Sequence, residues 1–316
     1  MKHGGARSVE IAALRHAVPY LALFRGRTVV VKVGGGALAD ARALAAVVGQ
    51  VAALHHLGVR VVLVHGGGAQ ASALSRALGL EVRQVAGRRV TDEATLAAVT
   101  MALNGDANTR VLAACRAAGL PAAGVSGVDG GLVVARRRPP VAVPGEAGPV
   151  DYGLVGDVER IDPRLLVHLL DGGYLPVVSP LGADARGQLL NLNADGVAGA
   201  LAVALGAEKL LFLVDTPGLL EDAADASTLV SFLDLARLER MRESGALAGG
   251  MLPKARAIAD ALGAGVPRAH LVSWRATDAL LWEVFSNEGS GTLVVPELAA
   301  LSADERAPDA AATVPG

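Results

Sequence analysis

Residues 29–40 read VVVKVGGGALAD, and the organisation of the whole chain can be worked out from that stretch. A run of valines broken by a single lysine has the look of a buried strand, and three consecutive glycines end it. Glycines just past a strand let backbone N–H groups face an anion without interference from a Cβ. The same design returns at residues 61–70, VVLVHGGGAQ, after a helical stretch, ADARALAAVVGQVAALHHLG. Strand, helix and strand of this kind form a βαβ unit, and strands so continuously apolar belong in a parallel sheet covered on both faces.

Further alternation follows. TLAAVTMALNGDANTRVLAACRAAGL (95–120) reads as one helix, and PAAGVSGVDGGLVVARR as strand, glycine-rich turn and strand. PRLLVHLLDGGYLPVVSPLG is a helix leading to a strand, ADGVAGALAVALGA a helix, EKLLFLVDTPGLL a strand and LPKARAIADALGAGV a helix. Such alternation predicts an α/β protein, a three-layer αβα sandwich with a mainly parallel open central sheet. Residues 1–27 are expected to form an N-terminal helical extension interrupted at Pro19. Two lobes are expected, 28–185 and 186–296, followed by a disordered tail at 297–316, where apolar residues thin out.

With 29 basic against 31 acidic residues, the 316-residue chain carries no electrostatic footprint for nucleic acid. The densest basic cluster, ARRRPP (135–140), reads as a solvated loop. The single cysteine, Cys115, excludes an internal disulfide and a cysteine-based zinc site, and reads as a buried inert thiol. The first residues lack the apolar run of a secretory signal and no uninterrupted run reaches eighteen apolar residues, so no membrane contact and a cytoplasmic location are expected.

Neither glycine loop fits GxxxxGK[ST], because the lysine precedes the glycines, and neither is a convincing dinucleotide fingerprint. In the second half, QLLNLNADGVAGALA gathers Asn191, Asn193 and Asp195 at a helix start, where capping accounts for one of the three. GGMLPKARAIADA sets Lys254 in a helix's first turn, against the macrodipole, which suggests an anion nearby.

Taken in order, VVKVGGGA, VVLVHGGGAQ, GRRVTDEATL, MALNGDANTRVLAACRAAG, GVSGVDGGL, DYGLVGDVERID, LPVVSPLG, NLNADGVAGALAVALGAEKLLFLVD and GGMLPKARAIADALGAGV resemble the amino acid kinase family over residues 10–296. The likeness is to members that phosphorylate the side-chain carboxylate of N-acetyl-L-glutamate with ATP and Mg2+. It implies Lys32 and Lys254 flanking the transferring phosphoryl group, with Asp195 orienting both lysines. Gly34 and Gly35 would offer amides to phosphate, and Asp215, Gly250 and Met251 would meet the nucleotide. Gly67, Gly68 and Asn191 would hold the substrate, and Arg89 would pair with its α-carboxylate through a planar fork. No protein ligand for metal is implied, since Mg2+ would be held through ATP.

Members acting on carrier-linked aminoadipate or glutamate usually carry a serine in the HGG loop, which this chain lacks, and a silent amino-acid sensor on the same fold would have lost one of the lysines. Arginine-inhibited members carry an interlacing N-terminal helix that joins homodimers into a hexamer. Their terminal segment is matched here at His270, Arg275, Glu283 and Gly289, which implies an L-arginine effector site. Trp274 replaces a glycine there and Asp278 a histidine, and the tryptophan is expected to close part of that pocket.

Overall fold

The computed structural model describes residues 18, 19, 21–143, 145–222, 224–247, 249–286 and 289–300. Most of the expected N-terminal extension and the tail from 301 lie outside these residues, and residues 21–24 are helical.

β1 (Thr28–Val33), α1 (Gly35–Ala39), α2 (Ala41–His56), β2 (Arg60–His65) and α3 (Gly68–Ala77) come first. A small hairpin of β3 (Gln84–Val85) and β4 (Arg88–Arg89) precedes α4 (Glu93–Thr100) and α5 (Asn108–Ala117). Next come β5 (Ala122–Ser126), β6 (Val133–Arg137), β7 (Val155–Ile161), α6 (Arg164–Asp171), β8 (Leu175–Ser179), β9 (Leu181–Ala183) and β10 (Leu189–Leu192). The last third holds α7 (Ala194–Ala204), β11 (Lys209–Val214), β12 (Phe232–Asp234), α8 (Leu235–Glu243), α9 (Met251–Gly263), β13 (Ala269–Ser273), α10 (Ala279–Phe285) and β14 (Thr292–Val295).

Among the described residues the main sheet has the order β12-β14-β13-β11-β1-β2-β8-β5. Every pairing in it is parallel except β13 with β14. Alternation along the strands sorts the side chains into two cores. Val30, Val62, Val64, Leu210 and Phe212 pack under α7 and α9. Val29, Val31, Val33, Val61 and Leu63 pack with Val47 and Val51 of α2, Cys115 of α5 and Leu280 of α10. Each core draws on both halves of the sequence, and β1 beside β11 makes the sheet continuous across residue 185. Each fully buried valine contributes about 1.5 kcal/mol, which offsets the cost of burying charge beside the same strands. Burial also drives the Cys115 thiol up to about 11, consistent with an inert core residue.

Two local expectations are corrected. The helix expected over 95–120 is interrupted by a π-helical stretch at Met101–Ala107, which offsets α5 from α4. Helical periodicity is too similar in the two forms for the sequence to separate them. The ARRRPP cluster is not a loop: its arginines end β6, with Arg136 opposite Asp157 and Arg137 opposite Gly156. Ala135 turns inward while Arg136 and Arg137 stay solvated at the strand's end, beyond its one pairing with β9 at Val134. Strands β10, β7, β6 and β9 close into a small second sheet.

Candidate active site

Lys32 stands on the same face of β1 as Val30, because both occupy alternate positions, and that face meets the start of α7. Asn193 caps α7, its Oδ1 accepting from the N–H of Asp195 at 2.9 Å and of Gly196 at 3.0 Å. Of the three polar residues at this helix start, Asn193 is therefore the cap, and Asp195 is free to turn toward Lys32 at 2.8 Å. Helices α7 and α9 approach closely at Gly199, where a Cβ would lie 3.0 Å from the Ala257 carbonyl oxygen. That contact brings Lys254, in the first turn of α9, to 3.4 Å from Asp195. Its Nζ also donates to the Gly250 carbonyl at 3.0 Å.

Lys32 and Asp195 are only 6% and 5% exposed. Burial alone would raise the Asp195 carboxyl, but Lys32 and Lys254 outweigh it and hold the group below the ordinary carboxylate range. Burial pulls the Lys254 ammonium below its usual value, an effect that Asp195 opposes and Lys32 reinforces. Two cations sharing one anion leave a local positive excess in a low-dielectric cleft, which is an anion site.

The cleft opens into a cavity of about 370 Å³ at the carboxyl ends of β1 and β2, lined by Lys32, Gly35, Gly67, Gly68, Arg89, Asn191, Asp195 and Lys254. Gly67 lies in close approach to the π-helical stretch, where a Cβ would come within 2.4 Å of the Leu103 side chain. Arg89 Nη2 donates to the Gly68 carbonyl at 2.9 Å and to Ser72 Oγ at 2.5 Å, while Nη1 is buried with no partner among the described residues. Burial, with Arg76 second, lowers its pKa. The protein thus already engages one nitrogen of the planar fork expected to meet a carboxylate. Both Nη2 hydrogens are taken, and Nη1 is the nitrogen left for a ligand. Asn191 Nδ2 donates to Thr91 Oγ1 at 3.3 Å, anchoring β10 against the cavity wall.

Sequence reasoning missed two residues behind the second glycine loop. His65, fully buried, contacts the Gly66 carbonyl through Nδ1 at 2.7 Å and Asn108 Nδ2 through Nε2 at 3.1 Å. Asn108 also donates to the Val177 carbonyl at 3.0 Å. Burial pushes His65 down to about 4, so it is neutral near pH 7, which fixes Nδ1–H as donor and Nε2 as acceptor. The histidine was visible in HGGG, but a partner 43 positions away was not.

Asp215, Gly250 and Met251 do not line the cavity. Asp215 follows β11, and a Cβ on Gly36 would lie 2.6 Å from its Oδ1, so the first glycine loop packs directly on it. Gly34 adjoins the cavity as the residue before α1.

His270, Glu283 and Gly289 do come together, around a separate cavity. His270 Nδ1 lies 2.6 Å from Glu283 Oε2, and Glu283 Oε1 accepts from the Gly291 N–H at 3.0 Å. Lys209 Nζ donates to the Glu283 carbonyl at 2.5 Å and lies 4.7 Å from the Phe24 ring centre. Burial lowers the pKa of His270. It would raise that of Glu283, but His270, the Gly291 amide and Lys209 outweigh it. Arg275 does not join this group, and Trp274 does not close its pocket. Both follow the far end of β13, about 10 Å of strand from His270, where Arg275 Nη2 is 3.8 Å from Asp215.

A model of the amino acid kinase family matches residues 27–273. The acetylglutamate kinase of Myxococcus xanthus is 53% identical over 291 residues, which cover 90% of this chain and 94% of that one. The acetylglutamate kinase of Archaeoglobus fulgidus is 42% identical over 287 residues, 90% and 99% of the two chains. Among solved structures, N-acetylglutamate synthase from Neisseria gonorrhoeae complexed with coenzyme A and N-acetyl-glutamate superposes with a TM-score of 0.77 at 28% identity, covering 91% of this chain and 63% of that one. The same synthase complexed with coenzyme A and L-arginine gives a TM-score of 0.75 at 26% identity, with 91% and 65% coverage. The present chain thus spans a little under two thirds of the synthase.

Proposed function

The chain belongs to the amino acid kinase family, and from that premise we infer that its cleft phosphorylates the side-chain carboxylate of N-acetyl-L-glutamate with ATP, an early step of arginine biosynthesis. The product is N-acetyl-L-glutamyl 5-phosphate. The observation that carries this reading is one cavity lined both by two lysines on a shared carboxylate and by Arg89, whose buried Nη1 has no partner among the described residues. A dicarboxylate fits between them, the α-carboxylate on Arg89 and the side-chain carboxylate toward the lysines.

The acceptor, with a reference pKa of about 4.3, is already ionised and needs no base. One of its oxygens bonds to the γ-phosphorus as the bond to the bridging oxygen breaks, and that electron pair leaves with ADP. What the protein supplies is positioning and charge cancellation between two anions. Lys32 and Lys254 provide the cations, Asp195 keeps them in place, and the amides of Gly34 and Gly35 turn toward phosphate. Gly67, Gly68 and Asn191 hold the acceptor. Facing the cleft are ammonium and amide donors, which suit phosphate oxygens, so Mg2+ is assigned to the nucleotide's own phosphates. Bound MgATP supplies the phosphoryl group and further charge neutralisation.

In this proposal residues 28–185 bind acetylglutamate and carry the homodimer contact, and residues 186–296 bind ATP through Asp215, Gly250 and Met251. L-arginine is assigned to the His270, Glu283 and Gly289 group as feedback inhibitor, a reading supported by the arginine complex of the synthase neighbour. Hexamer assembly through the N-terminal helix and a cytoplasmic location belong to the same proposal. Among the described residues no helix is long and apolar enough to cross a membrane.

Turnover of ATP by purified protein with N-acetylglutamate, with hydroxylamine trapping the acyl phosphate, tests the reaction. Hydroxamate should form from the acetylated substrate and not from glutamate, aspartate or aminoadipate. Lys32→Ala and Lys254→Ala should each lower kcat by about 10³-fold. Hydroxamate yields that survive both substitutions would remove the lysines from the mechanism.

A further inference from the structure

Trp274 departs from the terminal segment of the arginine-inhibited members, and its place in the fold gives it a different role. The indole lies beyond the end of β13, where its Nε1–H donates to Asp215 Oδ1 at 2.8 Å. Its backbone N–H donates to the Val214 carbonyl at 3.1 Å, which ties the end of β13 to the end of β11. The Arg275 guanidinium covers the indole at 4.2 Å from the ring centre and brings Nη2 to 3.8 Å from the same Asp215 oxygen. From the other side the first glycine loop closes in, with space at Gly36 for nothing larger than hydrogen. One oxygen of Asp215 is thus enclosed by an indole N–H, a guanidinium and a glycine. The other, Oδ2, has no hydrogen-bond or ion partner among the described residues, although the carboxylate is largely exposed.

An exposed aspartate beside a glycine loop would ordinarily sample several rotamers. Here Oδ1 is held, and Oδ2 is left as an oriented acceptor at the sheet's ligand-binding edge. The loop it touches is the one turned toward phosphate, and in a nucleotide the ribose adjoins the phosphates. A carboxylate packed on that loop therefore meets the ribose hydroxyls before it meets the base.

We propose that Trp274 is a positioning residue for the nucleotide, its indole N–H fixing Asp215 so that the free carboxylate oxygen accepts from the ribose hydroxyls of ATP. This rests on the reading of Asp215 as a nucleotide contact. Arg275 acts through the same carboxylate by holding the indole plane. It takes no part in the effector group at the other end of β13.

The test compares wild type, Trp274→Phe and Asp215→Asn, each with ATP and with 2′,3′-dideoxy-ATP, at saturating N-acetylglutamate. Phenylalanine keeps a ring for Arg275 and for the core but lacks the N–H. The KM for ATP should rise about fivefold in Trp274→Phe and at least as much in Asp215→Asn, with kcat and the KM for N-acetylglutamate within about twofold of wild type. With the dideoxy nucleotide, which has no ribose hydroxyls to offer, both penalties should disappear. A Trp274→Phe penalty that persists at full size with dideoxy-ATP overturns the proposal, because the indole then acts on something other than the ribose contact. A rise in Asp215→Asn with none in Trp274→Phe overturns it too, and leaves Asp215 as a nucleotide contact. No rise in Asp215→Asn removes that contact and the proposal with it.

Discussion

Two buried charge clusters differ in what they leave unmatched. At the cleft, Lys32 and Lys254 share the one carboxylate of Asp195, so positive charge is in excess and faces a cavity. At the opposite end of β11 and β13, Glu283 is fully engaged by His270, the Gly291 N–H and Ser290 Oγ, while Lys209 donates to a backbone carbonyl. Burying a charge is costly unless it is paired. The first cluster leaves a positive excess open to an anionic ligand, whereas the second is matched by the protein except at His270 Nε2, which is buried with no hydrogen-bond partner among the described residues. Turnover should therefore depend on the first, while the second carries stability together with the proposed effector contact.

The largest effect expected from breaking this contrast is at Asp195. Asp195→Asn leaves two ammonium groups without their common anion, and kcat should fall by about 10²- to 10³-fold. Its pH dependence is more diagnostic. Asp195 raises the pKa of Lys254 against the downward pull of burial, so removing the carboxylate lowers that pKa further. The protonated lysine is then lost at a lower pH, and the alkaline limb of the pH–rate profile should move to lower pH. A limb that stays in place would mean that Lys254 is not the group whose charge the reaction needs.

Each cluster also has a buried histidine nearby, and these give the next effect. His65 titrates at about 4 when folded against 6.5 for the free side chain. Between those values the unfolded chain binds more protons, so stability rises with pH, is complete above 6.5 and is lost as pH falls toward 4. The His65 contribution lost between pH 6.5 and 5 is about 2 kcal/mol. Urea unfolding of His65→Gln at pH 7 and pH 5 should show that much less acid sensitivity than wild type, although the variant starts lower. His270 is also lowered by burial, so its share is likewise lost as pH falls below 6.5, and His270→Gln should be less acid-sensitive than wild type. Equal slopes in all three proteins would rule out both histidines.

What could be read from the chain alone follows the range of each interaction. Strand and helix periodicities extend over ten or twenty residues, so the βαβ alternation, Lys32 at a strand end and Lys254 in a first turn were all visible. The split between Asn193 as cap and Asp195 as ion-pair partner was not, because it depends on which residue of α7 meets β1. Gly36 against Asp215, 179 positions apart, and His65 against Asn108 are contacts of the folded state with no local pattern. Family resemblance placed Arg275 with His270, since a terminal segment read as a string has no direction in space. Five residues of extended strand set the two at opposite ends of the sheet.

The smallest effect should come from Glu283→Gln, which tests the other half of the contrast. Glutamine keeps the volume but only one acceptor oxygen, so with that oxygen on the Gly291 N–H its amide must donate to His270 Nδ1 in the other tautomer, and the expected loss is about 1 to 2 kcal/mol of stability. The folded pKa of Glu283 lies below its ordinary 4.5, so its share of stability is present above that value and fades as pH falls through the folded one. The variant should lose this lowest acid step. Turnover and both KM values should stay within about twofold of wild type, because the substituted group lies at the far end of β11 and β13 from Lys32. A tenfold fall in kcat with the fold intact would have the opposite meaning. The two ends of the strands would then be energetically coupled even without an effector, and the catalytic cluster and the cluster assigned to arginine would be a single network.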